Sequence, residues 1–333
     1  MMSFAGDVAM WNWQQKLRDP LALLLLAALV LVCAAIALPP VPMTLVGADV
    51  LVIVDITGSM NTRDYQAAGK PASRLAIAKT ALKDMIGRLP CPSRLALGLF
   101  SERVPFLLFE PIDVCRDYGA VSGAIDAIDW REAWEGDSHV AAGLFRSIEM
   151  ARSLGIDLIF ITDGQEAPPL PASGPPPFEG KRNEVRGLIV GAGGYSLSPI
   201  PKFDDRGNEI GFWGVDDVPH ENRFGPPPPD AETRPGYNPR NAPFGSVAAK
   251  GSEHLSSVRE AYLKQLAQET GLGYAHLEGP AGLTEAYLPV SVPRASHGLT
   301  DLRWLPGLLA LSALLAVFSP LGRRLASLKS TKP

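Results

Sequence analysis

This sequence contains few cysteines and has a small net charge. Three cysteines occur in 333 residues, the formal net charge is −4, and lysine and arginine are scattered rather than arranged in a stripe. The first observation excludes a small disulfide-rich scaffold, and the second argues against nucleic acid as a partner. Because 46% of the residues are hydrophobic, the chain can bury at least one full core, and we expect one sizeable domain with attachments.

Signatures of common catalytic sites are missing as well. Ser59 lies in T-G-S-M-N without the flanking glycines of a G-x-S-x-G turn, and no G-x-x-x-x-G-K-[ST] phosphate loop occurs. The five histidines show neither a paired base nor metal-ligand spacing, and we interpret His139 as a solvent-exposed loop residue. We therefore predict that the protein is not an enzyme.

Two long apolar runs are present, at residues 21–38 and 305–322, and neither contains a charged residue. These runs predict transmembrane helices over 20–39 and 304–321. Basic residues precede the first run and follow the second, so the tails 1–19 and 322–333 are expected in the cytoplasm. In a bacterium, the protein would then sit in the inner membrane with its main domain in the periplasm.

Alternatives to both spans stay open from the sequence. Ala35-Ile36-Ala37 has the small-x-small form that a signal peptidase accepts, so the first run is also compatible with a cleaved signal peptide. A lipoprotein anchor at Cys33 is a weaker alternative, because Val32 stands where a small residue is expected. The second run is alternatively a buried amphipathic helix, although it lacks a polar face.

The other two cysteines flank a predicted hairpin. Residues 94–101 and 104–111 have the apolar composition of two strands joined by a tight turn, and Cys91 and Cys115 are symmetric about that turn. An oxidising compartment would permit a disulfide between them. Two unpaired buried cysteines are the alternative.

Strand-like and helix-like segments alternate between the two apolar runs, which predicts an α/β fold with a mainly parallel sheet covered by helices. Continuous apolar strands are predicted at 48–55, 156–163 and 185–193, and helices after Ser73 and over 140–154. Two proline-rich insertions, 165–185 and 219–250, are predicted to be surface loops. We expect partner specificity to reside in the longer one.

Two of the predicted strands end in an acidic residue, Asp55 and Asp163. Ligands of open parallel sheets bind beyond the carboxyl ends of the strands, so both carboxylates would face one crevice if these strands are neighbours. Thr57 and Ser59, at alternate positions after Asp55, add two hydroxyl oxygens. Ser138 adds a third, as the N-cap of the next helix, as a ligand, or as both. Oxygen donors of this kind suit a hard cation such as Mg²⁺ or Ca²⁺.

This combination resembles the von Willebrand factor A domain and its metal-ion-dependent adhesion site. Asp55-Ile56-Thr57-Gly58-Ser59 matches the Asp-x-Ser-x-Ser loop of that family, Ser138 takes the place of a distant threonine, and Thr162-Asp163-Gly164 matches the last loop. The resemblance implies a Rossmann-like domain over 45–280 with a metal held by Asp55, Thr57, Ser59, Ser138 and Asp163. A degenerate domain without metal is the alternative.

The resemblance also implies a binding function. Two carboxylates and three neutral hydroxyls leave the cation partly unneutralised, so an Asp or Glu of a protein partner would complete its shell. We expect the positive end of the helix after Ser138 to assist this contact.

A narrower resemblance concerns the motifs D-I-T-G-S-M-N-T-R-D-Y and I-T-D-G-Q-E-A-P-P. They are similar to the MxaL accessory proteins of bacterial methanol-oxidation gene clusters. This implies a role in maturation of the quinone-dependent methanol dehydrogenase, including calcium insertion, with that enzyme or sibling accessory proteins as partners. The competing hypothesis is a general envelope scaffold or stress adaptor that works with an AAA-type ATPase.

Overall fold

The computed structural model describes residues 20–133, 137–171, 174–204, 206–218, 229–230, 233 and 251–319. The described residues divide into two compact units, one made of those within Met1–Thr44 and His297–Pro333 and the other of those within Leu45–Ser296. The predicted tails 1–19 and 322–333, and most of the predicted insertion 219–250, lie outside the described residues.

The described helices are α1 (Pro20–Ala37), α2 (Arg74–Arg88), α3 (Tyr118–Ala127), α4 (Val140–Leu154), α5 (Glu260–Thr270), α6 (Leu283–Tyr287) and α7 (Trp304–Phe318). The described strands are β1 (Val41–Gly47), β2 (Asp49–Asp55), β3 (Tyr65–Ala67), β4 (Lys70–Ala72), β5 (Arg94–Ser101), β6 (Val104–Asp113), β7 (Asp157–Thr162), β8 (Gly187–Ala192), β9 (Ser198–Pro199), β10 (Pro201–Phe203), β11 (Glu209–Phe212), β12 (Leu255–Ser256), β13 (Gly273–Leu277) and β14 (Arg294–Thr300).

A six-stranded sheet forms the centre of the larger unit, in the order β13-β8-β7-β2-β5-β6. Every pair in it is parallel except β5 and β6, which form an antiparallel hairpin. Asp55 pairs with Phe100 of β5, and Val54 pairs with Ile161 of β7. The predicted α/β class with a mainly parallel sheet is therefore confirmed.

Helices cover both faces of this sheet because alternate residues of its buried strands point to opposite sides. On β2, Val50, Val52 and Val54 join the core cluster that also contains buried residues of α2, α3 and α6. Leu51 and Ile53 join the other cluster, with buried residues of α4 and α5. The continuous apolar run of β2 thus reflects burial on both sides.

The helix boundaries follow from local chemistry. Ser73 caps α2, its Oγ accepting a hydrogen bond from Ala76 N at 3.2 Å. Helix α4 ends at Gly155, which adopts the left-handed conformation with φ 65°. The predicted helix 140–154 coincides with α4.

Two small elements differ from the sequence-based expectation. The segment after Asn61, expected to be a polar loop, contains the antiparallel hairpin β3–β4, which turns at Ala68 and Gly69 with φ values of 50° and 75°. The short helix α6 lies beyond the predicted domain end at 280 and contributes Leu283 and Tyr287 to the core.

The predicted transmembrane segments 20–39 and 304–321 overlap α1 and α7, which pack against each other in the smaller unit. At 1.5 Å per residue, these helices of 18 and 15 residues extend about 27 and 22 Å, against about 30 Å of bilayer hydrocarbon. Among the described residues, no helix combines the length and the hydropathy required to cross a membrane. The prediction of two spans is not supported by the helices of the described residues.

Cys91 and Cys115 form a disulfide with a Cα–Cα distance of 6.0 Å. It links the segment before β5 to the segment after β6, at the open end of their hairpin. Cys33 is a free, exposed cysteine.

Candidate metal centre

The candidate centre begins with Asp55, the last residue of β2. Its Oδ1 accepts hydrogen bonds from Thr57 N at 2.9 Å and Thr57 Oγ1 at 2.7 Å. Its Oδ2 accepts one from Thr162 Oγ1 at 2.6 Å. Because Thr162 ends the neighbouring strand β7, the carboxylate is fixed at the carboxyl edge of the sheet, where α/β proteins bind their ligands.

The Asp55 carboxyl is fully buried, and this changes its ionisation. Burial, followed by repulsion from Asp163, raises its pKa from 3.8 to about 7, although hydrogen bonds from Thr162 and Thr57 act in the opposite direction. The negative charge of the ionised Asp55 carboxylate is therefore not fully stabilised by the surrounding protein. A bound cation would supply that stabilisation.

Ser59 lies in a short 3₁₀ helix, Gly58–Asn61, directly after the Asp55 loop. Its side chain is buried, and Ser59 Oγ has no hydrogen-bond partner among the described residues. Thr57 is also buried, but its hydroxyl donates to Asp55. The Thr57 hydroxyl is thus already engaged with Asp55, whereas the Ser59 hydroxyl has no partner among the described residues.

Ser138 reaches this edge of the sheet through main-chain bridges. Ser138 N donates to Ala167 O at 2.7 Å, and His139 N donates to Glu102 O, so the segment joins residues that follow β7 and β5. The N-cap of α4 is His139, and Ser138 Oγ makes no hydrogen bond to the described residues. The interpretation of Ser138 as an N-cap is therefore wrong.

Ser59 Oγ and Ser138 Oγ are thus among several buried hydroxyls that have no hydrogen-bond partner within the described part of the chain, and these two belong to the candidate centre. An unpaired buried hydroxyl costs free energy, so such atoms in a native structure call for an explanation such as an ion. The residues present therefore fit a hard divalent cation. No three His, Cys, Asp or Glu side chains of the described residues cluster to hold a metal, so hydroxyl oxygens would supply much of this site.

Asp163, the residue after β7, is fully buried and engaged on both oxygens. Its Oδ2 lies 2.5 Å from Arg74 Nη1 and accepts from Ser256 Oγ at 3.0 Å, while Oδ1 accepts from Gln165 N at 2.9 Å. Repulsion between Asp163 and Asp55 places the two carboxylates in one electrostatic environment. The structure therefore brings the two predicted acids to the same edge of the sheet, where Asp163 forms an ion pair with Arg74.

Arg74 and its second partner Asp64 were not among the predicted site residues. Arg74 is fully buried, with Nη2 2.6 Å from Asp64 Oδ2. A signal was present in the sequence, because Arg74 stands four and eight residues before Ala78 and Leu82 on the apolar face of α2. A charged residue in such a stripe indicates a buried ion pair.

The N-terminus of α4 is occupied by a carboxylate of the chain itself. Val140 N and Ala141 N each donate to Glu166 at 3.0 Å, and Tyr262 OH donates to the same side chain at 2.6 Å. Burial raises the pKa of Glu166, while these hydrogen bonds lower it. The expectation that this helix end assists a partner's acid is therefore corrected, since Glu166 already uses those amides.

An open groove of about 540 Å³ is lined by Arg103, His139, Glu166 and several prolines, which include Pro168 and Pro175. The His139 side chain is 30% exposed, and its Nε2 lies 3.8 Å from Asp137 Oδ2. His139 thus stands at the surface of the groove rather than among the candidate ligands.

Residues 50–165 match the family model of the von Willebrand factor type A domain. No curated protein matches the chain.

Similar solved structures include an aerotolerance-related membrane protein of Bacteroides fragilis carrying multiple mutations to serines, at 16% identity and TM-score 0.45, covering 72% of this chain and 96% of that one. A von Willebrand factor type A protein of Catenulispora acidiphila has 14% identity and TM-score 0.37, covering 82% and 46%. An uncharacterised membrane-spanning protein of Vibrio fischeri has 19% identity and TM-score 0.27, covering 69% and 90%.

None of these comparisons supports the narrower resemblance to MxaL or a role in methanol dehydrogenase maturation. The matched residues extend from β2 to the segment after β7 and include the Asp55 loop, Ser138 and Asp163. The segment 50–165 is therefore similar to the von Willebrand factor type A domain, and the candidate metal centre lies within this segment.

Proposed function

We propose that this protein is a cation-dependent adaptor that binds Mg²⁺ or Ca²⁺ at Asp55, Thr57, Ser59, Ser138 and Asp163, and docks an acidic residue of a partner protein there. The observation that carries the proposal is the pair of buried, unpartnered hydroxyls, Ser59 Oγ and Ser138 Oγ, on segments at the same sheet edge as Asp55. A cation would accept the lone pairs of both hydroxyls.

Each residue would contribute differently to the centre. Asp55 would supply negative charge, held in place by the hydroxyls of Thr57 and Thr162. Asp163 has donors on both oxygens, so it would act through water rather than by replacing those bonds. When bound, the cation would supply an open coordination position for a carboxylate oxygen from outside.

The proposal describes binding rather than catalysis. Asp55 and Asp163 are fully buried, and their carboxylates are already bonded to other groups of the chain, which favours a binding role over a catalytic one. Protein partners with an exposed Asp or Glu are the expected ligands.

We place this function outside the cytoplasm. The Cys91–Cys115 disulfide supports an oxidising compartment, because cytosolic thiols are kept reduced. In a bacterium, that compartment is the periplasm or the cell exterior.

Calorimetric titration of the full-length chain with Mg²⁺ and with Ca²⁺ tests the proposal. We expect saturable binding that is lost in the Asp55→Ala, Ser59→Ala double variant. Ser147→Ala is the matched control, because Ser147 is also a buried serine but its hydroxyl already donates to Gly143 O at 2.7 Å. Absence of binding by the wild-type chain, or equal binding by the double variant, would refute the metal-dependent function.

A further inference from the structure

A buried arginine lies between two carboxylates next to the candidate metal centre. The Arg74 side chain is 0% exposed, with Nη1 2.5 Å from Asp163 Oδ2 and Nη2 2.6 Å from Asp64 Oδ2. The Asp64 side chain is only 6% exposed. Buried ion pairs contribute little net stability, because the loss of hydration offsets much of the attraction. The position of Arg74 therefore calls for an explanation besides stability.

Arg74 also contacts two segments of the candidate centre, those of Ser59 and Asp163, and Ser256 of strand β12. Its Nη1 donates to Ser256 Oγ at 2.6 Å and approaches Ser59 O at 3.5 Å, in addition to its bond with Asp163. Ser256 in turn donates to Asp163 Oδ2 at 3.0 Å. One guanidinium thus touches the Ser59 loop and fixes the orientation of the Asp163 carboxylate.

The charges around the centre depend on this arginine. Asp55, Asp64 and Asp163 together carry three negative charges when ionised, and Arg74 reduces their sum to two. A bound divalent cation then brings the net charge of the group to zero. The cation itself can still attract a carboxylate from outside. Without Arg74, the same group with a bound cation would carry one excess negative charge and would repel a carboxylate.

We propose that Arg74 sets the charge of the metal centre, weakening its hold on the divalent cation and strengthening the hold of the cation-loaded centre on a partner's acidic residue. This inference rests on the proposed function and assigns a role to a residue outside the predicted ligand set. Arg74 acts through Asp163, so it is a positioning residue rather than a ligand.

Asp64 provides the opposing change. It binds the Nε and Nη2 side of the guanidinium and accepts from Gly194 N at 2.8 Å, and within the described part of the chain it makes no hydrogen bond to the predicted ligands. Its replacement by asparagine removes one negative charge and keeps a similar shape. Arg74→Met and Asp64→Asn therefore shift the charge of the centre in opposite directions.

The test measures Mg²⁺ binding to the full-length chain by calorimetry, first in chloride and then in acetate, with acetate as the carboxylate probe. Arg74→Met is expected to tighten Mg²⁺ binding about tenfold in chloride and to abolish any tightening caused by acetate. Asp64→Asn is expected to weaken Mg²⁺ binding about tenfold in chloride and to increase the effect of acetate. Arg74→Lys keeps the charge and should stay within about threefold of the wild type.

A purely structural role for Arg74 predicts a different pattern, in which Arg74→Met and Asp64→Asn both weaken Mg²⁺ binding. That result would overturn the inference while leaving the metal function in place. If Arg74→Met fails to fold, as its circular dichroism melting curve would show, unchanged or tighter Mg²⁺ binding by Asp64→Asn would overturn it. Absence of Mg²⁺ and Ca²⁺ binding by the wild-type chain would instead refute the proposed function itself.

Discussion

Thr162 Oγ1 donates a hydrogen bond to Asp55 Oδ2 at 2.6 Å, joining the last residues of two adjacent strands. Both side chains are fully buried. Because β2 and β7 pair in parallel, this bond connects the carboxyl ends of two central strands, at the edge of the sheet where ligands bind. Asp55 is thereby held in one orientation before any cation arrives, which reduces the ordering that binding would require.

The pH dependence of stability follows from the Asp55 carboxyl. Its pKa is raised from 3.8 to about 7, so the folded, metal-free protein binds this proton more tightly than the unfolded chain does. The resulting stabilisation is complete below pH 3.8 and disappears as the pH rises through about 7. Urea unfolding of EDTA-treated protein should show this loss, and Asp55→Asn should remove it. Equal pH profiles for the two proteins would contradict the prediction.

Removal of the unpartnered hydroxyls should affect metal binding but not folding. Ser59→Ala and Ser138→Ala each delete an oxygen without a hydrogen-bond partner among the described residues, so the metal-free unfolding free energy should change by less than about 0.5 kcal/mol. Mg²⁺ affinity should fall by about tenfold or more. Ser147→Ala should show the reverse, a stability loss of about 1 kcal/mol with unchanged Mg²⁺ affinity.

Substitution of Gly193 should disturb the arginine next to the centre. Gly193 has φ +121°, and a Cβ there would lie 2.5 Å from Arg74 Nε. Gly193→Ala should therefore lower the unfolding free energy by about 2 kcal/mol or more, measured by thermal and urea unfolding. Gly194→Ala is the matched control, because its Cβ would meet Asp64 Oδ2 at an ordinary 3.5 Å. Similar losses in both variants would show that Arg74 is not the cause.

Glu166 should stabilise α4 through its N-terminal amides. Glu166→Gln removes the negative charge that faces Val140 N and Ala141 N, and we expect a loss of about 1 kcal/mol in unfolding free energy at neutral pH. Glu179→Gln, at an exposed position, should leave stability unchanged. A Glu166→Gln variant as stable as the Glu179→Gln control would disprove this role.

The disulfide should stabilise the larger unit by restricting its unfolded chain. Cys91 and Cys115 are 24 residues apart, and closing a loop of that size is worth about 3 kcal/mol. The Cys91→Ser, Cys115→Ser double variant should lose this amount in urea unfolding. Dithiothreitol should lower the wild-type protein to the same stability and leave the variant unchanged; an effect on the variant would point to another cause.

Much of the sheet could be predicted because its strands are buried on both faces. The apolar runs of β2, β7 and β8 have few alternatives to a central parallel strand, and the periodicity of α4 defines its length. The hairpin β3–β4 could not be predicted in this way. Its strands have three residues each and show no usable pattern, so only the turn at Gly69 hinted at it.

The residues of the candidate centre that stand at strand ends could be predicted from the sequence. Contacts between residues far apart in the sequence could not. Asp55 and Asp163 could be placed at one edge because parallel strands share a direction. The contact between Arg74 and Asp163 joins residues 89 positions apart, and the capping of α4 by Glu166 depends on how two loops pack. Neither contact leaves a local pattern, except that Arg74 interrupts an apolar stripe.

Strand β6, the hairpin partner of β5, is an edge strand of the central sheet and is open to approach by other proteins. It carries Pro105, Glu110 and Pro111. Proline has no main-chain N–H, and charge or proline on an outer strand discourages pairing with a strand from another molecule. Recruitment by β-augmentation along β6 is therefore disfavoured, so a protein that binds at this edge would contact side chains rather than pair with the strand.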